Sequence, residues 1–244
     1  MHDSSKGPDP GRDVSPGPTF RQVIELYRKH AVSLLILGAV ILTPLALIET
    51  VTRDIGSVDT DNGWLILSNL VIVSLRTASS LFGEVFYSGA VALLVLHGHE
   101  RTGVDLGHVF RKLPFGRLMV LDILYTLIVL AGLILLIVPG LVFMTWFWLS
   151  GAIIEVEDRG PIAALRRSRQ LVKGSFRPVF VVMMPLLLVS GSLSALGAHL
   201  TMDLLGHSMF GQWMAESFWD VLLTPVYALG VIVVLMKLSS RRVP

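Results

Sequence analysis

Cysteine is absent from the 244-residue sequence, so disulfides and thiol catalysis are excluded and the redox compartment leaves no trace in it. Charge is also scarce, at 16% Asp, Glu, Lys and Arg, where soluble chains carry roughly 25%. The formal net charge is only +2, which gives no reason to expect a nucleic-acid partner. The sequence holds no His-Glu-x-x-His, Walker, Gly-x-Ser-x-Gly or Gly-x-Gly-x-x-Gly pattern, so neither catalysis nor a cofactor is expected. The run His97-Gly98-His99-Glu100 has ligand-type side chains but lacks the spacing and further ligands of a zinc site, and no metal is expected.

What the chain has in abundance is apolar surface: 53% hydrophobic residues and a mean hydropathy of +0.70. One soluble core of this size cannot hide so much, whereas a bilayer lets apolar side chains face lipid. The expected fold class is therefore all-α, a polytopic membrane helical bundle. A span needs about 20 apolar residues, and six candidates lie at 31–51, 64–97, 118–138, 140–154, 179–199 and 218–236. The second is overlong, about 51 Å if helical throughout, so it must tilt, project or break. Pro139-Gly140 is a turn signal between the third and fourth, and Pro185 and Pro225 fall inside the fifth and sixth. Residues 1–19, rich in Pro, Gly, Ser and Asp, read as a disordered cytosolic tail, 20–238 as the membrane domain and 239–244 as a basic cytosolic tail. The first apolar stretch starts too late and runs too long for a cleaved leader.

The basic residues test the span count. Eighteen of the twenty Lys and Arg lie before the first span, in the loops after the second and fourth, or after the sixth. Six alternating spans put all eighteen on one side, and one span more or fewer scatters them. By the positive-inside rule that side is the cytosol, with both termini on it. Trp64, Trp213 and Trp219 fall at the opposite ends of spans, where amphipathic rings favour the headgroup layer.

Each odd-numbered span follows a short amphipathic segment, which predicts three cytosolic interfacial helices. Before the first span, Phe20, Val23, Ile24 and Tyr27 share a face, with Thr19 and Gln22 spaced as a capping box. Before the third, Leu106, Val109, Phe110 and Leu113 repeat the spacing behind Asp105. Before the fifth, Pro161 suits a first helical position and Gly174 a stop. There Leu165, Ser168, Leu171 and Val172 share one face, and Arg166, Arg169, Gln170 and Lys173 the other.

The stretch from Val138-Pro139-Gly140 through Ile153-Ile154-Glu155-Val156-Glu157-Asp158-Arg159-Gly160 to the Ala163-Ala164-Leu165-Arg166-Arg167-Ser168-Arg169-Gln170-Leu171-Val172-Lys173-Gly174-Ser175-Phe176 run resembles a known family. It is similar to the membrane domain of some glycerophosphoryl diester phosphodiesterases and to the YciC-like bacterial inner-membrane proteins. The resemblance implies about six helices in a bacterial cytoplasmic membrane. The phosphodiesterases add a soluble catalytic domain for which this sequence shows no counterpart, so their activity is not expected here.

Three charged residues inside the spans are candidates for a polar site. Glu84 lies near the middle of the second span, where a carboxylate costs about 2.5–3.5 kcal/mol unless it faces the bundle or a cavity. Arg76 and Glu49 should sit at similar depth and could pair. Asp122, just inside the third span, is expected to form an interfacial ion pair with Arg117. Ser190, Gly191, Ser192, Ser194, Ala195, Gly197 and Ala198 make the fifth span a surface for close helix packing or a homo-oligomer contact. Arg166, Arg167, Arg169 and Lys173 form a basic face suited to anionic lipid headgroups. The function expected is a non-enzymatic membrane protein that organises the bilayer or supports a protein partner. The alternatives are a small transporter or channel using Glu84, and a lipid-acting enzyme.

Overall fold

The computed structural model describes residues 14–55, 83–97, 111, 113–135, 137–206 and 208–240. Its helices are α1 (Pro16–Ile55), α2 (Glu84–His97), α3 (Phe115–Leu135), α4 (Ile137–Phe147), α5 (Ser150–Glu157), α6 (Pro161–Lys173), α7 (Phe176–Leu205) and α8 (Met209–Ser239). No strand is found among the described residues.

The bundle is apolar inside and outside. At its centre, α2 is buried all round from Tyr87 to Val95, and the second half of α8 is buried from Tyr227 to Leu235. A helix hydrophobic on every face can settle only in such a position. The outward faces of α1, α3 and α7 still carry large apolar side chains, such as Val32, Met119 and Leu188. In water that belt would be a liability, and in lipid it is the solvent-facing surface. Five helical segments among the described residues are long and apolar enough to cross a bilayer, and the shorter Val85–Val95 is equally apolar. The rest of the overlong second span, 64–82, lies outside the described residues.

Several boundaries differ from the sequence reading. Helix α1 begins at Pro16, inside the stretch assigned to a disordered tail, and bends at His30, whose φ and ψ are −115° and 15°. Thr19 does not cap it. The buried Thr19 hydroxyl donates to the Ser15 carbonyl at 2.8 Å and accepts from Lys237 Nζ at 2.9 Å, which ties the first helix to the end of the last. Before the bend, Val23 is buried while Ile24 is 58% exposed. The segment Leu106–Phe110, the second expected amphipathic helix, lies outside the described residues.

Helix α3 runs to Leu135 and α4 from Ile137 to Phe147, so Pro139-Gly140 falls within α4 and not between two helices. Pro139 falls in the first turn of α4, where a missing N–H leaves no helical bond unmade. Gly140 is there for closeness. A Cβ on it would press on the Leu133 backbone nitrogen at 2.9 Å, and one on Gly132 would press on Gly140 Cα at 2.9 Å. The fourth span is itself interrupted between Phe147 and Ser150. Ser168 of α6 repairs the interruption: its hydroxyl donates to the Trp146 carbonyl at 2.7 Å and accepts from the Leu149 N–H at 3.3 Å.

Helices α7 and α8 are longer than expected, 30 and 31 residues, with Gly206 the C-cap of the first and Ser208 the N-cap of the second. At about 45 Å each they must tilt in or project from a hydrocarbon layer of about 30 Å. Their contact uses half of the small-residue surface. Trp219 lies over Gly197, and Ser194 donates to Asp220 Oδ1 at 2.5 Å. Gly191, Ser192 and Ala195 face outward. The Trp219 and Trp213 indole N–H groups donate to Thr201 Oγ1 at 2.9 Å and the Thr43 carbonyl at 3.0 Å, so both rings tie helices together.

Candidate functional site

Helix α2 starts deep in the bundle. Gly83, just before it, has φ +95°, a left-handed value that a side chain would strain. A helix start exposes N–H groups without intrahelical partners and a partial positive charge. The group that meets them is Asp122, from the second turn of α3. Its Oδ2 accepts from the Gly83 N–H at 2.6 Å, and the residue is 1% exposed. Asp122 thus caps a helix distant in sequence.

The expected ion pair of Asp122 with Arg117 is not formed. Residues five apart on a helix point about 140° away from each other, so one cannot face the surface while the other joins it. Arg117 turns out to the surface and pairs with Asp158 at 2.7 Å, and Asp122 turns in. The five-residue spacing was the available signal.

Asp122 Oδ1 is buried and has no well-formed hydrogen bond among the described residues. It borders a cavity of about 310 Å³ between α1, α2 and α3. The walls are otherwise apolar, with Phe86 and Phe115 in contact at 5.5 Å between ring centroids. Val40 and Pro44 line it from α1. Proline has no N–H, so the Val40 carbonyl lacks its intrahelical donor.

Of the residues singled out in the sequence, Glu84 is the first residue of α2 and Glu49 lies within α1. Their side chains, and all of Arg76, lie outside the described residues. Among the described residues, the carboxyl at the cavity is Asp122.

A second charged cluster forms at the end of the bundle where α5 meets α6. Glu157 accepts from Arg167 Nε at 3.0 Å and from Arg159 Nε at 2.5 Å. Arg169 stacks over the Trp146 ring at 4.6 Å. Helix α6 buries Ala164, Leu165, Ser168, Leu171 and Val172 against the bundle and turns Arg166, Arg169 and Lys173 outward. Pro161 is its first residue and Gly174 its C-cap. Of the four basic residues named on this helix, Arg167 is held in an ion pair and Arg169 by an aromatic ring, which leaves Arg166 and Lys173 the most open. No group of three or more metal-ligating side chains gathers among the described residues.

This architecture defines an integral membrane protein of the helical-bundle class. The chain belongs to UPF0259, an uncharacterised protein family whose model matches residues 55–206. It is 32% identical over 105 residues to a UPF0259 membrane protein of Pectobacterium carotovorum and, over the same length, to one of Sodalis glossinidius, in each case 41% of both chains. A UPF0259 membrane protein of Yersinia pestis is 32% identical over 117 residues, 47% of this chain and 46% of its own. The chain thus matches less than half the length of these relatives. No solved structure matches it.

Proposed function

We propose that this is a non-catalytic protein of the cytoplasmic membrane, with both termini in the cytosol, that organises anionic lipids at the inner leaflet or holds a partner there. The observation that carries this reading is the mounting of α6. Its apolar face is spent inside the bundle, so its exposed Arg166 and Lys173 are held at one end of the molecule by a rigid support. Arg177, at the start of α7, is also exposed. Basic groups fixed at that level suit a negatively charged leaflet, with each contributing on the order of 1 kcal/mol. The likeness to phosphodiesterase membrane domains adds an architecture only, and no phosphodiester cleavage is proposed.

Two measurements test the reading. Reporter fusions ending at residues 165 and 208 are expected to report cytosolic and external locations respectively. An external signal at 165 would reverse the orientation and remove the anionic leaflet from the argument. In nanodiscs, the double variant Arg166→Gln/Lys173→Gln is expected to weaken co-purification of phosphatidylglycerol by about tenfold or more against phosphatidylcholine. Unchanged lipid selectivity would exclude α6 as the headgroup surface.

The capped start of α2 favours a second reading, a small transporter. Helices that begin inside the layer commonly form substrate sites at the midplane. In that case the polar centre includes Asp122, beside the Glu84 expected from sequence.

A further inference from the structure

We propose that the cavity between α1, α2 and α3 binds an organic ammonium carried on an apolar body, entering from the lipid side, with Asp122 as its counter-carboxyl. This site is separate from the basic face of α6 and stands whether or not that face binds lipid headgroups.

Access comes first. Val40, Phe115 and Met119 line the cavity and are 52%, 49% and 55% exposed, so its rim is part of the lipid-facing surface. A ligand reaching it must already be dissolved in the bilayer, which requires a large apolar part. The walls suit such a body, since apart from Asp122 every described lining side chain is apolar.

The polar end is chosen by what the cavity offers. Asp122 spends Oδ2 on the Gly83 N–H, the Phe86 N–H also lies near the carboxyl, and Oδ1 is buried without a well-formed hydrogen bond among the described residues. A buried acceptor without a well-formed bond is costly, and a donor bearing positive charge satisfies it best. Val40, whose carbonyl has no helical donor because Pro44 lacks an N–H, also lines the cavity. Phe86 and Phe115 line the cavity, and the faces of such rings attract alkylammonium groups. A metal ion is a poor fit, because hard cations need six or more oxygen ligands and the cavity has a single carboxyl among the described residues. An anionic ligand would meet Asp122 head on.

The test uses the purified full chain in nanodiscs, with decylammonium and the uncharged 1-decanol as paired probes of equal chain length. Binding is read by titration calorimetry and located with diazirine-bearing versions of both probes followed by peptide mapping. Wild-type protein is expected to bind decylammonium about tenfold more tightly than decanol, the worth of one charge-assisted hydrogen bond, with label on 40–45 and 115–122. Asp122→Asn keeps an oxygen for Gly83 but presents an NH₂ to the cavity, and it is expected to abolish the preference. Met119→Trp, which fills the cavity from its lipid-facing rim and leaves the carboxyl in place, is expected to abolish site-specific labelling. Equal affinity for the two probes, an unchanged preference in Asp122→Asn, or unchanged labelling in Met119→Trp would each overturn the proposal. Should Asp122→Asn fail to fold, the Met119→Trp result decides alone.

Discussion

Gly151→Val is expected to leave little or no folded protein. Gly151 stands where α5 crosses the buried helix α2, and a Cβ there would fall within contact distance of both the Val85 carbonyl oxygen and Ser88 Oγ. One of these is backbone of the central helix and cannot move aside as a side-chain tip does. On the other side of the crossing, a Cβ on Gly89 would lie 3.2 Å from the Gly151 carbonyl and closer still to Leu118. The two glycines thus let the helices approach to backbone contact, as small residues do between membrane helices. Overpacking costs about 1–3 kcal/mol in cores that can relax, and more where backbone is struck. Yield of monodisperse protein in detergent and its melting temperature measure the effect. Gly191→Ala is the control, since nothing lies within 4 Å of the position and its face is exposed. A Gly151→Val protein that melts like the control would mean that α2 and α5 do not cross here.

Asp122→Leu is expected to be the next most damaging change, and for an opposite reason: it removes a partner instead of adding bulk. The Gly83 N–H would be left unsatisfied in the bundle, a loss of about 1–3 kcal/mol for the orphaned donor. The positive start of α2 would also lose its compensating group. Asp122→Asn retains an acceptor oxygen, so its melting temperature in detergent is expected to lie near wild type, with Asp122→Leu several degrees below. Equal melting of the two variants would show that the carboxyl does not hold the helix start.

The arrangement of α2 and Asp122 brings out a buried carboxyl that the sequence reading passed over. Glu84 drew attention because a charge in an apolar run is visible in one dimension. Asp122 looked ordinary because Arg117 stood five residues away, and an ion pair near an interface is the usual outcome. The difference lies in which way α3 is turned, which only its packing against α2 decides. The overlong second span carried a clear warning, since one helix could not fit it to the layer without tilting, projecting or breaking. The start of α2 after Gly83 is where the described part of that span begins.

By itself the sequence determined that this protein is a bundle of membrane helices, because continuous apolar runs of about 20 residues match the length a helix needs to cross lipid with its backbone bonded within the segment. It also determined the buried face of α6, because a period of 3.6 residues is a local property that needs no partner to be read. Tertiary structure decided which carboxyl faces the cavity, that Arg117 pairs with Asp158, that Ser168 repairs the interrupted fourth span, and that Gly89 and Gly151 meet. Each of these depends on the rotation of one helix against another across long sequence separations, and no local pattern records that angle.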